Sequence, residues 1–181
     1  MEYSPETVGI PRKIESAERI EFRTIEKNAE NKKVVMELLH EYPEQFVHGS
    51  FEKFAEQDFG ESDTMIAYDG NVPVGCLMFN KETSEFSWLA VTKNTNVRRR
   101  EIGKKLFESF YPSIAPGTKV HLFINTEDAF IPGHPEFSGQ NFSSARDMYK
   151  SMGLEMKEEN RVENKYGEGC HVYRVTWIPT M

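Results

Sequence analysis

Three consecutive arginines, Arg98, Arg99 and Arg100, follow a strand-like run and a short polar loop in the order WLAV, TKNTN, VRRREIGKK. If a helix begins here, the amides of its first turn have no acceptors inside the helix and can hold an anion. Arg98, Arg99, Arg100 and Lys104 would add charge-assisted hydrogen bonds, and a pyrophosphate suits that combination. Gly103 would let backbone or ligand approach where a side chain would otherwise stand. The competing reading is a solvated basic patch on an ordinary amphipathic helix. The stretch carries neither a GxxxxGK[ST] loop nor a GxGxxG fingerprint, which disfavours ATPase and dinucleotide-binding chemistry. Downstream, NFSSARDMYKSMGL spaces Asn141, Ala145 and Tyr149 four apart, so one helical face would turn two polar groups toward a cleft. Asn141 could equally be a helix cap, and Tyr149 a packed ring with its hydroxyl on backbone or solvent.

The surrounding pattern supplies elements to position these residues. RIEFRTIE alternates as a first strand, and a helix from about Asn28 carries Val34, Val35, Leu38 and Leu39 until Pro43 interrupts it. A second helix is expected from an N-cap at Ser50 through Phe51, Phe54, Ala55 and Phe59 until Gly60 ends it. DTMIAY and VPVGCLMFN flank a hairpin turn at Asp69, Gly70 and Asn71, and SEFSWLAV extends the meander, with Trp88 read as sheet core. Asn96 would cap the basic helix, whose Ile102, Leu106 and Phe110 form a stripe beside Phe107. KVHLFI would then return parallel to the Trp88 strand through a right-handed crossover. Residues 125–140 read as a long irregular insertion and a candidate substrate loop. A short helix through Met148 and Tyr149 stops at Gly153, and final strands are expected at 154–156 and 171–178, joined by a solvated KEENRVENKYGEG loop.

The 181 residues suit one compact domain, read as residues 19–181 behind a flexible N-terminal arm at 1–18. The chain has 22 basic and 29 acidic side chains, a net charge of −7, which disfavours nucleic-acid and membrane partners and favours a cationic small one. Cys76 and Cys170 lack zinc or CxxC spacing and read as buried, reduced thiols, with no metal expected. No apolar signal core or membrane-length run occurs, so a cytoplasmic protein is the expectation. A homodimer through exposed C-terminal strand edges stays open.

The two motifs resemble those of the GCN5-related N-acetyltransferase (GNAT) superfamily. Its Q/R-x-x-G-x-G/A signature aligns with residues 98–103, with Arg98 first, Gly103 last and Glu101 in place of the middle glycine. NFSSARDMYKSMGL is similar to N-x-x-x-A-x-x-x-Y-x-x-x-G-F, retaining Asn141, Ala145, Tyr149 and Gly153, with Leu154 in the aromatic position. The resemblance spans about residues 19–177. It implies an α+β, acyl-CoA N-acyltransferase (GNAT-like) fold with a mixed central β-sheet and helices on both faces.

The resemblance also implies acetyl-CoA as donor substrate. Arg98, Arg99, Arg100, Ile102, Gly103 and Lys104 would lie at its phosphates, the backbone of Leu89 and Val91 along its pantetheine arm, and Asn141 on the same arm. It implies that Tyr149 is the general acid toward the departing thiolate and makes Glu85 a candidate base. Water-linked His134 and bulk water are the alternatives. His134 and Glu136, in PGHPEF, are expected at the acceptor mouth, where Asp128 and Glu136 would attract a cation. The expected function is N-acetyltransferase, moving an acetyl group to a primary amine of a small molecule or peptide by direct attack. The alternative is a non-catalytic, CoA-responsive binding or regulatory domain, to which Glu101 lends weight.

Overall fold

The computed structural model describes residues 19–47, 49–93 and 99–180, with Arg99 and Arg100 described by backbone alone. The expected arm at 1–18, the Asn96 cap and Arg98 lie outside the described residues. In chain order the elements are β1 (Ile20–Ile25), α1 (Ala29–His40), α2 (Ser50–Glu61), β2 (Asp63–Asp69), β3 (Val72–Asn80), β4 (Glu85–Val91), α3 (Arg99–Phe110), β5 (Val120–Asn125), α4 (Ser143–Ser151), β6 (Arg161–Val162) and β7 (Val172–Trp177). The strands form one mixed sheet in the order β1-β2-β3-β4-β5-β7-β6.

Side chains that alternate along each strand serve two separate cores. On one face α1 and α2 lay Val35, Leu39, Ala55 and Phe59 over Ile66, Cys76, Met78 and Ala90. On the other, Ile102, Leu106, Phe107 and Phe110 of α3, with Met148 and Tyr149 of α4, cover Met65, Leu77, Phe86 and Val120. Cys76 is part of the first core, and burial pushes its thiol up to about 12, so it is no nucleophile at neutral pH. Asn28 caps α1 by accepting the Asn31 amide at 2.8 Å. Gly70 and Asn71 close the β2–β3 hairpin, with Gly70 at φ +60°.

Three expectations change. Gly49 is the N-cap of α2, and Gly60 stays inside the helix, whose C-cap is Ser62. The buried Ala55 and Phe59 hold that last turn against the sheet despite glycine's cost of about 1 kcal/mol. Residues 154–156 form no strand. The last strand pair instead uses Arg161 and Val162, inside the segment expected to be solvated loop. Asp128 grips the Arg161 guanidinium with two bonds of 2.9 Å while Glu163 accepts from its Nε at 2.6 Å, an ionic anchor that hydrophobic periodicity does not register.

The insertion at 125–140 is a packed structural piece. Ala129, Ile131 and Phe137 bury themselves with Cys170 in a third small core. The buried Arg146 of α4 donates to the carbonyls of Asn125 and Gly139, both at 2.7 Å, and so ties the end of β5 to the insertion. A Cβ on Gly139 would stand 2.0 Å from the Thr126 carbonyl oxygen. Gly139→Ala is therefore expected to cost about 2 kcal/mol or more in urea denaturation, and an unchanged midpoint would contradict this packing.

Candidate active site

β4 and β5 run parallel but pair only at Glu85 with His121 and Phe86 with Leu122. Beyond that point they part, and a cavity of about 920 Å³ opens between them, walled also by α2, α4 and the segment before β7. Each strand end is held by an element other than its neighbour. Glu41, at the end of α1, accepts from the Thr92 hydroxyl and the Lys93 amide, both at 2.7 Å, while the Tyr42 hydroxyl donates to the Val91 carbonyl. Arg146 holds the Asn125 carbonyl at the end of β5. The Thr92 amide donates to Val74 on β3 at 2.9 Å. Strand alternation then turns the backbone groups of Leu89 and Val91 away from β3, toward the cavity.

A β-bulge decides which side chains enter. Met78 faces Trp88 and Phe79 faces Phe86, so Ser87 is an extra residue on β4. In a regular strand Glu85 and Trp88, three apart, would point to opposite faces. The bulge brings both to the α2 face, where both line the cavity with Asp58 of α2. The Trp88 indole N–H donates to Asp58 Oδ2 at 2.6 Å, and its ring stacks on Phe46 with centroids 6.1 Å apart. Trp88 is thus half core and half cavity wall.

Burial is the main force pushing the Glu85 carboxyl above its ordinary value. The Asp58 charge adds to it, and Lys165 and Arg174 oppose it. Burial likewise raises Asp58; the Trp88 bond opposes this and Glu61 adds to it. His121 Nε2 lies 3.6 Å from Glu85, but burial, with Arg174 and Lys165, lowers its pKa, so this contact is not a charged pair at neutral pH.

Tyr149 is buried against the Phe107 ring, with centroids 5.9 Å apart, and lines the cavity. Burial, with a smaller contribution from Tyr111, raises its phenol far above neutral pH, so it stays protonated and suits an acid rather than a base. Asn141 is exposed at the cavity edge and its Oδ1 accepts from the Ser138 amide at 2.9 Å, which makes it a cap as well as a wall residue.

The cavity brings together Glu85, Leu89, Val91, Asn141 and Tyr149. Other expected residues stand elsewhere. Ile102 is fully buried core. At Gly103 the space a side chain would occupy is taken by the Met148 thioether, 2.5 Å from an added Cβ, so packing of α3 on α4 accounts for this glycine. Lys104 leans along its helix to Glu108 at 3.7 Å. His134 and Glu136 bind one another at 3.0 Å on the exposed insertion, away from the cavity lining, because the third core turns that loop outward. Asp128 is committed to Arg161.

The sequence reading missed Asp58, Glu41, Tyr42 and Arg146. A signal existed for Asp58: it stands three residues after Ala55 and one before Phe59, a carboxylate beside the buried stripe of α2.

The overall fold recurs in known structures. An acetyltransferase of the GNAT family from Bacillus cereus is 13% identical, with 90% of this chain and 99% of that one covered and a TM-score of 0.60. The chain has the GNAT fold. The ribosomal-protein-S18-alanine N-acetyltransferase of Escherichia coli is 13% identical over 90% of this chain and 96% of that one, with a TM-score of 0.59. An aminoglycoside 6'-N-acetyltransferase complexed with coenzyme A is 16% identical over 88% and 98%, again at 0.59. No protein-family model and no curated protein matches the chain. No helix among the described residues is long and apolar enough to cross a membrane.

The raised Glu85 carboxyl carries a consequence for stability. Ionising it costs more in the folded chain than in the unfolded one. The cost is absent below the ordinary carboxylate range, where both states are protonated, and develops as pH rises through the raised value. Glu85→Gln is expected to be more stable than wild type near neutral pH, with the gain vanishing below about pH 4. Urea denaturation at both pH values checks this, and an equal gain at both would contradict burial of the charge.

Proposed function

We propose that this protein is an acetyl-CoA-dependent N-acetyltransferase that acetylates a primary amine of a small molecule or peptide by direct attack. The observation that carries the reading is the cavity between β4 and β5, which holds a protonated phenol, Tyr149, and a partly buried carboxylate, Glu85. The donor supplies a thioester whose carbonyl accepts the amine and whose sulfur leaves.

The residues present fit such a donor. Leu89 and Val91 offer backbone N–H groups on the open edge of β4, suited to an amide-rich arm and to a carbonyl oxygen gaining charge. Ser87 Oγ and Asn125 Oδ1, on cavity-lining residues, are buried without a hydrogen-bond partner among the described residues. Asn141 uses its side-chain oxygen as a cap, which leaves its amide N–H groups for the arm. The first turn of α3, from Arg99, would hold the phosphates through backbone amides, with Arg98, Arg99 and Arg100 as the accompanying charges.

Glu85 takes the amine's proton directly or through water, and its raised pKa brings it closer to that task than an ordinary surface carboxylate. The amine lone pair forms the new C–N bond, the C–S bond breaks, and Tyr149 protonates the departing thiolate. Cys76 and Cys170 take no part, since burial raises both thiols.

Acetyl-CoA with a panel of primary amines, read by free thiol and by a one-acetyl mass gain on the acceptor, tests the reading. Donor binding without thiol release under any acceptor would instead favour a CoA-responsive binding domain. Tyr149→Phe is expected to lower kcat about a hundredfold while CoA affinity stays within about twofold; unchanged kcat under saturating substrate would remove Tyr149 as the acid.

A further inference from the structure

Two carboxylates, Glu85 and Asp58, line the α2 side of the cavity, and the transfer step needs only one. Glu85 is accompanied by cations, since Lys165 and Arg174 act on it. Asp58 is different. Its Oδ2 accepts the Trp88 indole N–H at 2.6 Å, yet no lysine or arginine among the described residues forms an ion pair with it, and the charges acting on it are those of the carboxylates Glu61 and Glu85. A neutral amide oxygen would serve the indole as well. An unpaired, half-buried charge is a cost that a bound cation would remove.

The walls around Asp58 suit a cation with an aliphatic body. Trp88, Tyr166, Phe51 and Phe54 line the same cavity, and aromatic rings attract ammonium groups while covering methylene chains. Phe51 meets Tyr166 edge to face at 5.8 Å, joining α2 to the segment before β7 across this end of the cavity. Lys165, the lysine in the lining, sits over the Phe123 ring of β5 at 4.5 Å and reaches the Tyr166 ring at 5.8 Å, which leaves Trp88, Phe51 and Phe54 as the rings without it.

We propose that Asp58 binds a second ammonium group on the acceptor, so that the preferred substrate is an aliphatic diamine or longer oligoamine rather than a monoamine. The proposal rests on the acetyltransferase reading above and deepens it. The amine to be acetylated gives up its proton near Glu85, and the distal ammonium, which keeps its charge throughout, pairs with Asp58 against the aromatic walls. Asp58 is a specificity residue, since it touches the substrate away from the reacting atoms.

The test compares 1,3-diaminopropane, 1,4-diaminobutane and 1,5-diaminopentane with the monoamines of equal chain length. Thiol release gives kcat/KM, and calorimetric titration of the same amines gives affinity without any reaction. The wild-type protein is expected to favour the best diamine by about tenfold or more in both measurements. Asp58→Asn should bring that ratio to within about twofold, and Asp58→Glu, which keeps the charge, should retain most of it. Glu85→Gln should slow turnover of both amine classes and keep the diamine preference. Equal kcat/KM for diamines and monoamines in the wild type, or a preference that survives Asp58→Asn, would overturn the proposal while leaving acetyl transfer intact. If no amine releases thiol, the reaction assignment fails and calorimetry still decides: Asp58-dependent diamine binding supports the recognition role, and equal binding of both classes removes it.

Discussion

The break in pairing between β4 and β5 is the constraint on which the rest of the molecule depends. A parallel pair that continued past Phe86 and Leu122 would satisfy its own backbone and leave no cavity. Instead each strand end finds partners elsewhere. Tyr42 takes the Val91 carbonyl, Glu41 takes the Thr92 hydroxyl and the Lys93 amide, and Arg146 takes the Asn125 carbonyl. These bonds come from helices on opposite faces of the sheet, so the opening is kept by the packing of both layers.

The bulge at Ser87 adds a second decision to that opening. By shifting the phase of β4 it sends Phe86 into the core under α3 while Glu85 and Trp88 meet α2. Two environments follow within one cavity. Tyr149 lies among rings, where its neutral form is favoured, while Glu85 and Asp58 are only partly desolvated and carry their charges at higher cost than on a surface. Groups whose titrations are pushed apart in this way are suited to opposite ends of one proton-transfer reaction.

Residues that look catalytic by type can be structural by position. Ile102 and Gly103 fall within the signature-like stretch, yet one is core and the other makes room for Met148. His134 and Glu136 pair with each other on an insertion whose apolar residues bury themselves with Cys170. Arg146, by contrast, carries a charge in a nearly dry site because two carbonyls and the nearby Glu127 carboxylate, 3.4 Å away, compensate it.

Local spacing alone determined much of this protein. The strand runs DTMIAY and VPVGCLMFN, the Gly70 turn, the stripe of Ile102, Leu106 and Phe110 and the four-residue step from Ala145 to Tyr149 each appear where the local pattern puts them, while Asn141 falls in a 3-10 turn, Gly139–Phe142, just before α4. Leu89, Val91, Asn141, Tyr149 and Glu85 were legible as cavity residues through the resemblance. Tertiary structure decided the remainder: the company Asp58 keeps, the bulge that turns Glu85 and Trp88 the same way, and the ionic grip that makes Arg161 a strand residue. Those contacts join positions about 30 residues apart, and strand phase depends on the partner's register, so no window along the chain contains the forces that set them.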